Sequence, residues 1–346
     1  LLVAAYVWGS WLLSPIFRPS PVGSDSLPHN VWLTVRICEA LGGVTGLAVF
    51  IKFVLMPVIR EKHIPTDGLM VINFLLIWWM DPMVNYFNFS FTYNSHTFNM
   101  GSWASFIPGA SYPNLENFPE PLLMMGGFYL GFWMLTALAG CWLIRKMLAW
   151  RPGIRPLSCL VVVFIAMFII DMLIELLILR TGLAAYPGVW ASFSIFPGQV
   201  YQWPLYEGVG VGLACVGFTA LRFYKDDKGQ TFVEKGIDRL KISSSKKRIV
   251  RFLALAGAIQ PMMLLGFYVT YNVFLLHIDT FPAYPSYMRN EICGEGTTYA
   301  CPNKYWVPIP NRRTQIVVAP DDPRLPETVR NMQGISGSGK DPYIRE

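Results

Sequence analysis

Residues 156–179 carry only two charged side chains, Asp171 and Glu175, in a run built mainly of Leu, Ile, Val, Phe and Met. A helix of about 20 apolar residues spans the hydrocarbon core of a bilayer. Similar blocks recur along the chain, and seven spans are read at about 1–17, 32–59, 67–87, 121–149, 156–180, 204–224 and 249–279. The sequence is 53% hydrophobic and 14% charged, with mean hydropathy +0.39. A soluble domain carries about 25% charged residues. The expected fold class is therefore an all-α integral membrane protein. A transmembrane helical bundle covers 1–279, and a polar, extended tail covers 280–346. The segment 1–17 reads as a trimmed first span rather than a signal peptide, since no basic region precedes it and no cleavage site is evident.

The basic residues set the orientation. Arg60 and Lys62 lie between spans two and three, and Arg145, Lys146, Arg151 and Arg155 lie around the turn between four and five. Residues 222–251 hold ten Lys or Arg, whereas 63–144 and 181–221 hold none. The positive-inside rule makes these loops and the N-terminus cytoplasmic. It makes 18–31, 88–120, 181–203 and the tail extracytoplasmic. The net charge of +6 is concentrated in those loops, so it gives no sign of nucleic-acid binding. In the tail, Cys293 and Cys301 can pair on an oxidising side. Cys38, Cys141, Cys159 and Cys215 sit singly in spans and read as small packing residues.

Two further patterns concern assembly. Ser105-Phe106-Ile107-Pro108-Gly109 resembles Ser194-Ile195-Phe196-Pro197-Gly198, and each stretch follows a span containing an acid, Asp81 or Asp171. Hairpins 67–149 and 156–224 thus read as two copies of one unit. Gly42/Gly46, Gly127/Gly131 and Gly208/Gly212 are small-xxx-small pairs, which let helix backbones approach closely.

The candidate chemistry lies in the acids. Glu39, Asp81, Asp171, Glu175 and Glu207 come from four spans, yet all fall in the outer half of the bilayer. Charged groups inside a bilayer are costly and normally face a cavity or a partner. One outward-opening polar cavity is therefore expected. The competing role is structural pairing with Arg36, Arg180 or His277. Asp81 precedes Pro82 in the stretch 78–99, so it is expected to cap a helix that restarts at the proline. Around it, Trp79, Asn85, Tyr86, Asn88 and His96 are expected to bind substrate, with Glu39 and Tyr201. No zinc-type spacing, P-loop, dinucleotide fingerprint or nucleophile elbow is present, so neither metal nor cofactor is expected. Adjacent carboxyl groups in an aromatic pocket divide into acid and base, and aromatic faces stabilise a developing cation.

Trp78-Trp79-Met80-Asp81-Pro82 with the Asn/Tyr/Phe/His run to Trp103, the Asp171–Glu175 helix, and Phe196-Pro197-Gly198 through Glu207 resemble the AveC-like spirocyclases. These are actinobacterial multi-span proteins named for the avermectin spirocyclase, and the resemblance covers roughly 30–280. It implies a bacterial plasma-membrane enzyme that cyclises a dihydroxy-ketone to a spiroketal by acid–base chemistry, sometimes with dehydration. It supplies no catalytic residues. From the residues alone, Asp171 or Glu175 is expected to donate a proton, and Asp81 or Glu207 to accept one. The expected partners are a lipophilic polyketide- or lipid-like substrate and membrane lipids, with a homo- or hetero-oligomer left open. A lipid or small-molecule carrier and a non-catalytic subunit of a membrane complex are the alternatives.

Overall fold

The computed structural model describes residues 1–227, 229–297 and 301–302. Its helices run α1 (Leu2–Leu12), α2 (His29–Phe50), α3 (Met56–Glu61), α4 (Thr66–Leu76), α5 (Leu122–Trp150), α6 (Pro156–Arg180), α7 (Leu205–Phe223), α8 (Ser244–Met263), α9 (Thr270–Leu275) and α10 (Ser286–Arg289). A π-helical turn, Ile51–Leu55, joins α2 to α3, and another, Leu264–Val269, joins α8 to α9. Each lies beside a proline, Pro57 or Pro261, whose missing N–H removes a regular helical bond.

Among the described residues, five helices are long and apolar enough to cross a membrane: His29–Glu61, Thr66–Asn85, Leu122–Trp150, Pro156–Arg180 and Ser244–Leu275. The expected first span is only the 11 residues of α1. The expected sixth is the 19-residue α7, where Glu207, Arg222 and several glycines lower the hydropathy. These account for the difference from seven. Helices that are apolar all round have no single buried face. So α2 turns Leu41, Val44 and Leu47 outward, and α6 turns Ile165, Leu173 and Leu177 outward. Exposed apolar faces of this kind are consistent with a membrane protein.

α5 and α7 form the interior, α5 packing on α2, α4, α6 and α7. The glycines explain the tightest contact. A Cβ at Gly127 would fall 1.9 Å from the Gly42 carbonyl oxygen, and one at Gly46 would fall 2.5 Å from the Gly127 Cα. Backbone meets backbone there. Gly208 and Gly212 instead face the rings of Trp203 and Phe164, so the third pair accommodates aromatics rather than a neighbouring backbone.

The two ends of the bundle differ in chemistry. At one end, Asp67 at the start of α4 pairs with Arg222 (2.7 Å) and Lys225 (3.3 Å) at the end of α7. At the other, loops 88–120 and 181–203 close together with residues 280–297. Strand β1 (Thr92–Tyr93) pairs antiparallel with β2 (Ala184–Ala185), placing Tyr93 opposite Ala184. Strand β3 (Ser194–Ile195) pairs with β4 (Trp203–Pro204). Asn94 N–H donates to Leu183 O, and Ser95 N–H to Tyr287 O. Cys293 and Cys301 are joined by a disulfide. Of the expected extended tail, 303–346 lies outside the described residues, and α10 is helical.

The proposed duplication meets one shared detail. Gly109 and Gly198 both have φ +83°, in Pro-Gly turns where left-handed backbone favours glycine. The spans before them differ. α6 runs unbroken through Asp171 and Glu175, whereas α4 gives way to a 3-10 helix, Trp78–Asn85, that contains Pro82. The expected cap at Asp81 is corrected here. No helix restarts at Pro82, because the chain tightens into 3-10 winding, beginning with Met80 N–H to Ile77 O. The Asp81 carboxylate is occupied by tyrosines instead.

Candidate active site

Asp81 reaches the interior on the 3-10 helix, Asp171 and Glu175 lie one turn apart on α6, and Glu207 lies in the first turn of α7. All four line one cavity of about 70 Å³. Its remaining wall is largely aromatic, including Phe91, Phe128, Trp133, Phe267 and Tyr271. Asp81, Asp171 and Glu207 are buried, and Glu175 is partly so. Among the described residues no ion pair involves any of these four acids. Arg180 lies over the ring of Tyr201 at 4.0 Å.

Tyrosine hydroxyls take the place of cations. Tyr129 donates to Asp81 Oδ1 at 2.6 Å, and Tyr93 to Oδ2 at 3.1 Å. Tyr129 and Tyr268 hydroxyls are 2.9 Å apart, which extends the chain of hydroxyls away from Asp81. Tyr186 donates to Glu175 Oε2 at 3.1 Å. Burial first, and then the carboxyl group of Asp81 for Tyr93 or Glu175 for Tyr186, push these two phenols well up. Both therefore remain protonated donors at neutral pH. The β1–β2 pairing delivers them, since it joins the loop bearing Tyr93 to the loop bearing Tyr186.

The acids also face one another. Asp171 and Glu207 interact across the cavity wall, and among the described residues nothing donates a hydrogen bond to Asp171 Oδ2 or Glu207 Oε2. Two carboxyl groups can bond only by sharing a proton. Glu120 makes a similar approach to Asp81. It is fully buried, and its Oε1 accepts from the Trp78 indole at 2.6 Å. Burial first, then Asp81, push Glu120 well above the usual carboxylate range.

Glu120 was not among the residues expected from sequence, because it lies between spans. A lone acid set between Pro119 and Pro121 at the start of α5 was the available signal. Tyr93, Tyr129, Tyr186, Tyr268 and Tyr271 carried no signal, since aromatics are abundant throughout the chain.

None of Glu39, Trp79, Asn85, Tyr86, Asn88, His96 and Tyr201 lines the cavity. Glu39 pairs with Arg36 at 3.0 Å and accepts from the Phe98 N–H, which ties α2 to the 88–120 loop. Trp79 donates to Gln260 Oε1 at 3.1 Å. Asn85 Oδ1 accepts from Ser90 and Phe91 N–H, closing the turn after the 3-10 helix. Tyr86 donates to Pro108 O, and Asn88 to Leu275 O. These polar groups hold the loop together, because a loop packed over a cavity must satisfy its own backbone.

His96 contacts Tyr287 edge-on, and its carbonyl accepts from Arg36. Burial first, then the Arg36 charge, hold its imidazole below the usual 6.5. Titration followed by NMR should therefore place His96 below 6.5. The folded protein holds that proton less tightly than the unfolded chain, so stability should fall as pH drops from 6.5 through the folded value. A His96 midpoint at or above 6.5 would show that the pocket does not disfavour the imidazolium.

The described side chains contain no group of three or more His, Cys, Asp or Glu that could hold a metal. Helices and site together define a class: a helical protein of membrane type whose interior holds a carboxyl-lined, tyrosine-bonded cavity. The chain belongs to the Spirocyclase AveC-like family, whose family model matches residues 61–287. That match contains Asp81, Glu120, Asp171, Glu175 and Glu207, and the family suggests a cyclase-type role. No curated protein and no solved structure matches the chain.

Proposed function

We propose that this protein is a membrane-embedded acid–base cyclase that closes a dihydroxy-ketone on a lipophilic, polyketide- or lipid-like substrate to a spiroketal. The observation that carries this reading is the convergence of Asp81, Asp171, Glu175 and Glu207 on one aromatic cavity, with no ion pair to any of them among the described residues. Family membership supports the cyclase class. The basic end of the bundle is then cytoplasmic, and the capped end faces outward in a bacterial plasma membrane.

Spiroketal formation proceeds in two additions. One hydroxyl adds to the ketone carbon, losing its proton as the ketone oxygen gains one, to give a hemiketal. Protonation and loss of the new hydroxyl as water leaves an oxocarbenium ion. The second hydroxyl adds to it and loses a proton, so the balance is dihydroxy-ketone to spiroketal plus water. The proton shared by Asp171 and Glu207 supplies the acid. Asp81, held by Tyr129 and Tyr93, accepts from the attacking hydroxyl. Glu175 with Tyr186 orients the second hydroxyl. The rings of Phe91, Phe128 and Trp133 stabilise the cation. Loss of an α-proton from the oxocarbenium ion to one of the carboxylates, in place of the second addition, gives an enol ether as the dehydrated product.

The test uses purified protein in nanodiscs with a long-chain dihydroxy-ketone, product being followed by mass spectrometry. Asp81→Asn, Asp171→Asn, Glu175→Gln and Glu207→Gln should each slow cyclisation, by about 10²–10⁴-fold where the acid transfers a proton. Wild-type rates in all four would overturn the reading. Uptake into proteoliposomes driven by a pH gradient, without product, would identify a carrier instead.

A further inference from the structure

A cavity of about 70 Å³ holds the reacting ketone and little more. For comparison, an engineered cavity that binds benzene measures about 150 Å³. If the proposed cyclase reading holds, the rest of a lipophilic substrate must lie elsewhere. A second space, of about 320 Å³, shares the wall residue Tyr268 with the first. Met83, Tyr86 and Phe87 form one side, and Tyr268, Asn272 and Val273 belong to the other. Tyr268 lines both spaces. Val273 and Leu276 are exposed, so the groove opens on the apolar perimeter.

Asn272 is the polar feature of this groove. It is 7% exposed. Its amide nitrogen donates to Met83 O at 2.8 Å and to Tyr268 O at 2.9 Å. Those two bonds fix which end of the amide is nitrogen. Among the described residues nothing donates to its Oδ1. A buried acceptor left bare costs about 1–3 kcal/mol, so the site is short of one donor. The π-helical turn Leu264–Val269 immediately precedes it, and such turns recur at functional sites.

We infer that this groove binds the lipophilic arm of the substrate, and that Asn272 Oδ1 accepts a hydrogen bond from a hydroxyl on that arm. The inference rests on the cyclase reading for its substrate. Binding at the groove is nevertheless measurable without turnover. The hydroxyl docks beside Tyr268, while the apolar chain lies against Met83, Phe87 and Val273 and leaves through the open side.

The experiment is photolabelling in nanodiscs with a diazirine-bearing long-chain alcohol and with its methyl ether, followed by peptide mapping. The alcohol should label 83–87 and 264–276, and the ether about tenfold less, as expected for one lost hydrogen bond. Asn272→Leu should erase the difference between the probes. Because that change also removes two structural bonds, Val273→Trp is the second variant. It fills the groove from its exposed side and should abolish labelling with thermal stability retained. Equal labelling by both probes, or labelling unchanged in Val273→Trp, overturns the inference, and an ordered water on Oδ1 gives the first of these. Labelling retained in Asp171→Asn, with alcohol preferred over ether, supports the groove even if no cyclisation is found. Loss of cyclisation in the acid variants without any groove labelling supports the cyclase reading and sinks the groove.

Discussion

Asp171→Asn and Glu207→Gln should each lower cyclisation by about 10²–10⁴-fold, and the double variant should be no slower than the slower single. The two carboxyl groups face each other across α6 and α7, with one oxygen on each that nothing else serves. A proton shared between them, as proposed, would make them one unit, and groups acting as a unit are strongly non-additive. Losses that multiply would mean two independent sites, and the shared proton would have to be abandoned. Tyr186→Phe is the graded comparison. It removes the donor to Glu175 and leaves the Asp171–Glu207 pair in place. It should therefore cost less than either acid, on the order of one hydrogen bond, about 0.5–1.5 kcal/mol.

Gly127→Ala should lower the thermal stability of the purified protein, and Gly127→Val should prevent its recovery in folded form. The added Cβ would meet the backbone of Gly42, with 1.9 Å to the carbonyl oxygen and 2.2 Å to its carbon. A backbone cannot rotate out of the way as a side chain can, so α2 as a whole must shift. Overpacking costs about 1–3 kcal/mol, set against a total stability of about 5–15. Gly43→Ala and Gly257→Ala are the controls. Among the described residues nothing lies within 4 Å of a Cβ at either position, and alanine is the better helix former by about 1 kcal/mol. Unchanged melting of Gly127→Ala would show that α2 and α5 are not held at the separation described.

Some of this was legible in the sequence because it depends on local composition. Runs of apolar residues require helices in a bilayer, since no other open structure satisfies its own backbone there. The helices at His29–Glu61, Leu122–Trp150 and Pro156–Arg180 follow the expected spans closely. Five acids in such runs were expected to find polar company in one cavity, and four of them line it while Glu39 does not. Other features were illegible because they depend on partners distant in the chain. Asn85 and Asn88 looked like substrate ligands by proximity to Asp81, yet their amides satisfy loop backbone. Glu39 had an alternative partner in Arg36, three residues away, and the structure shows that pair formed.

The stretch 78–99 shows where the division falls. The sequence alone determined that a buried acid stands beside a proline at the end of an apolar helix, because both residues are fixed by position. It could not determine what that acid meets. Tyr129 lies 48 residues away, and Glu120 beyond the entire intervening loop. Only the packing of α5 against the 3-10 helix, with the pairing of β1 and β2, brings those groups together. Helix formation is a short-range consequence of hydrophobicity and backbone hydrogen bonding. The proton-sharing partners of a carboxylate are chosen by long-range packing, which no local pattern encodes.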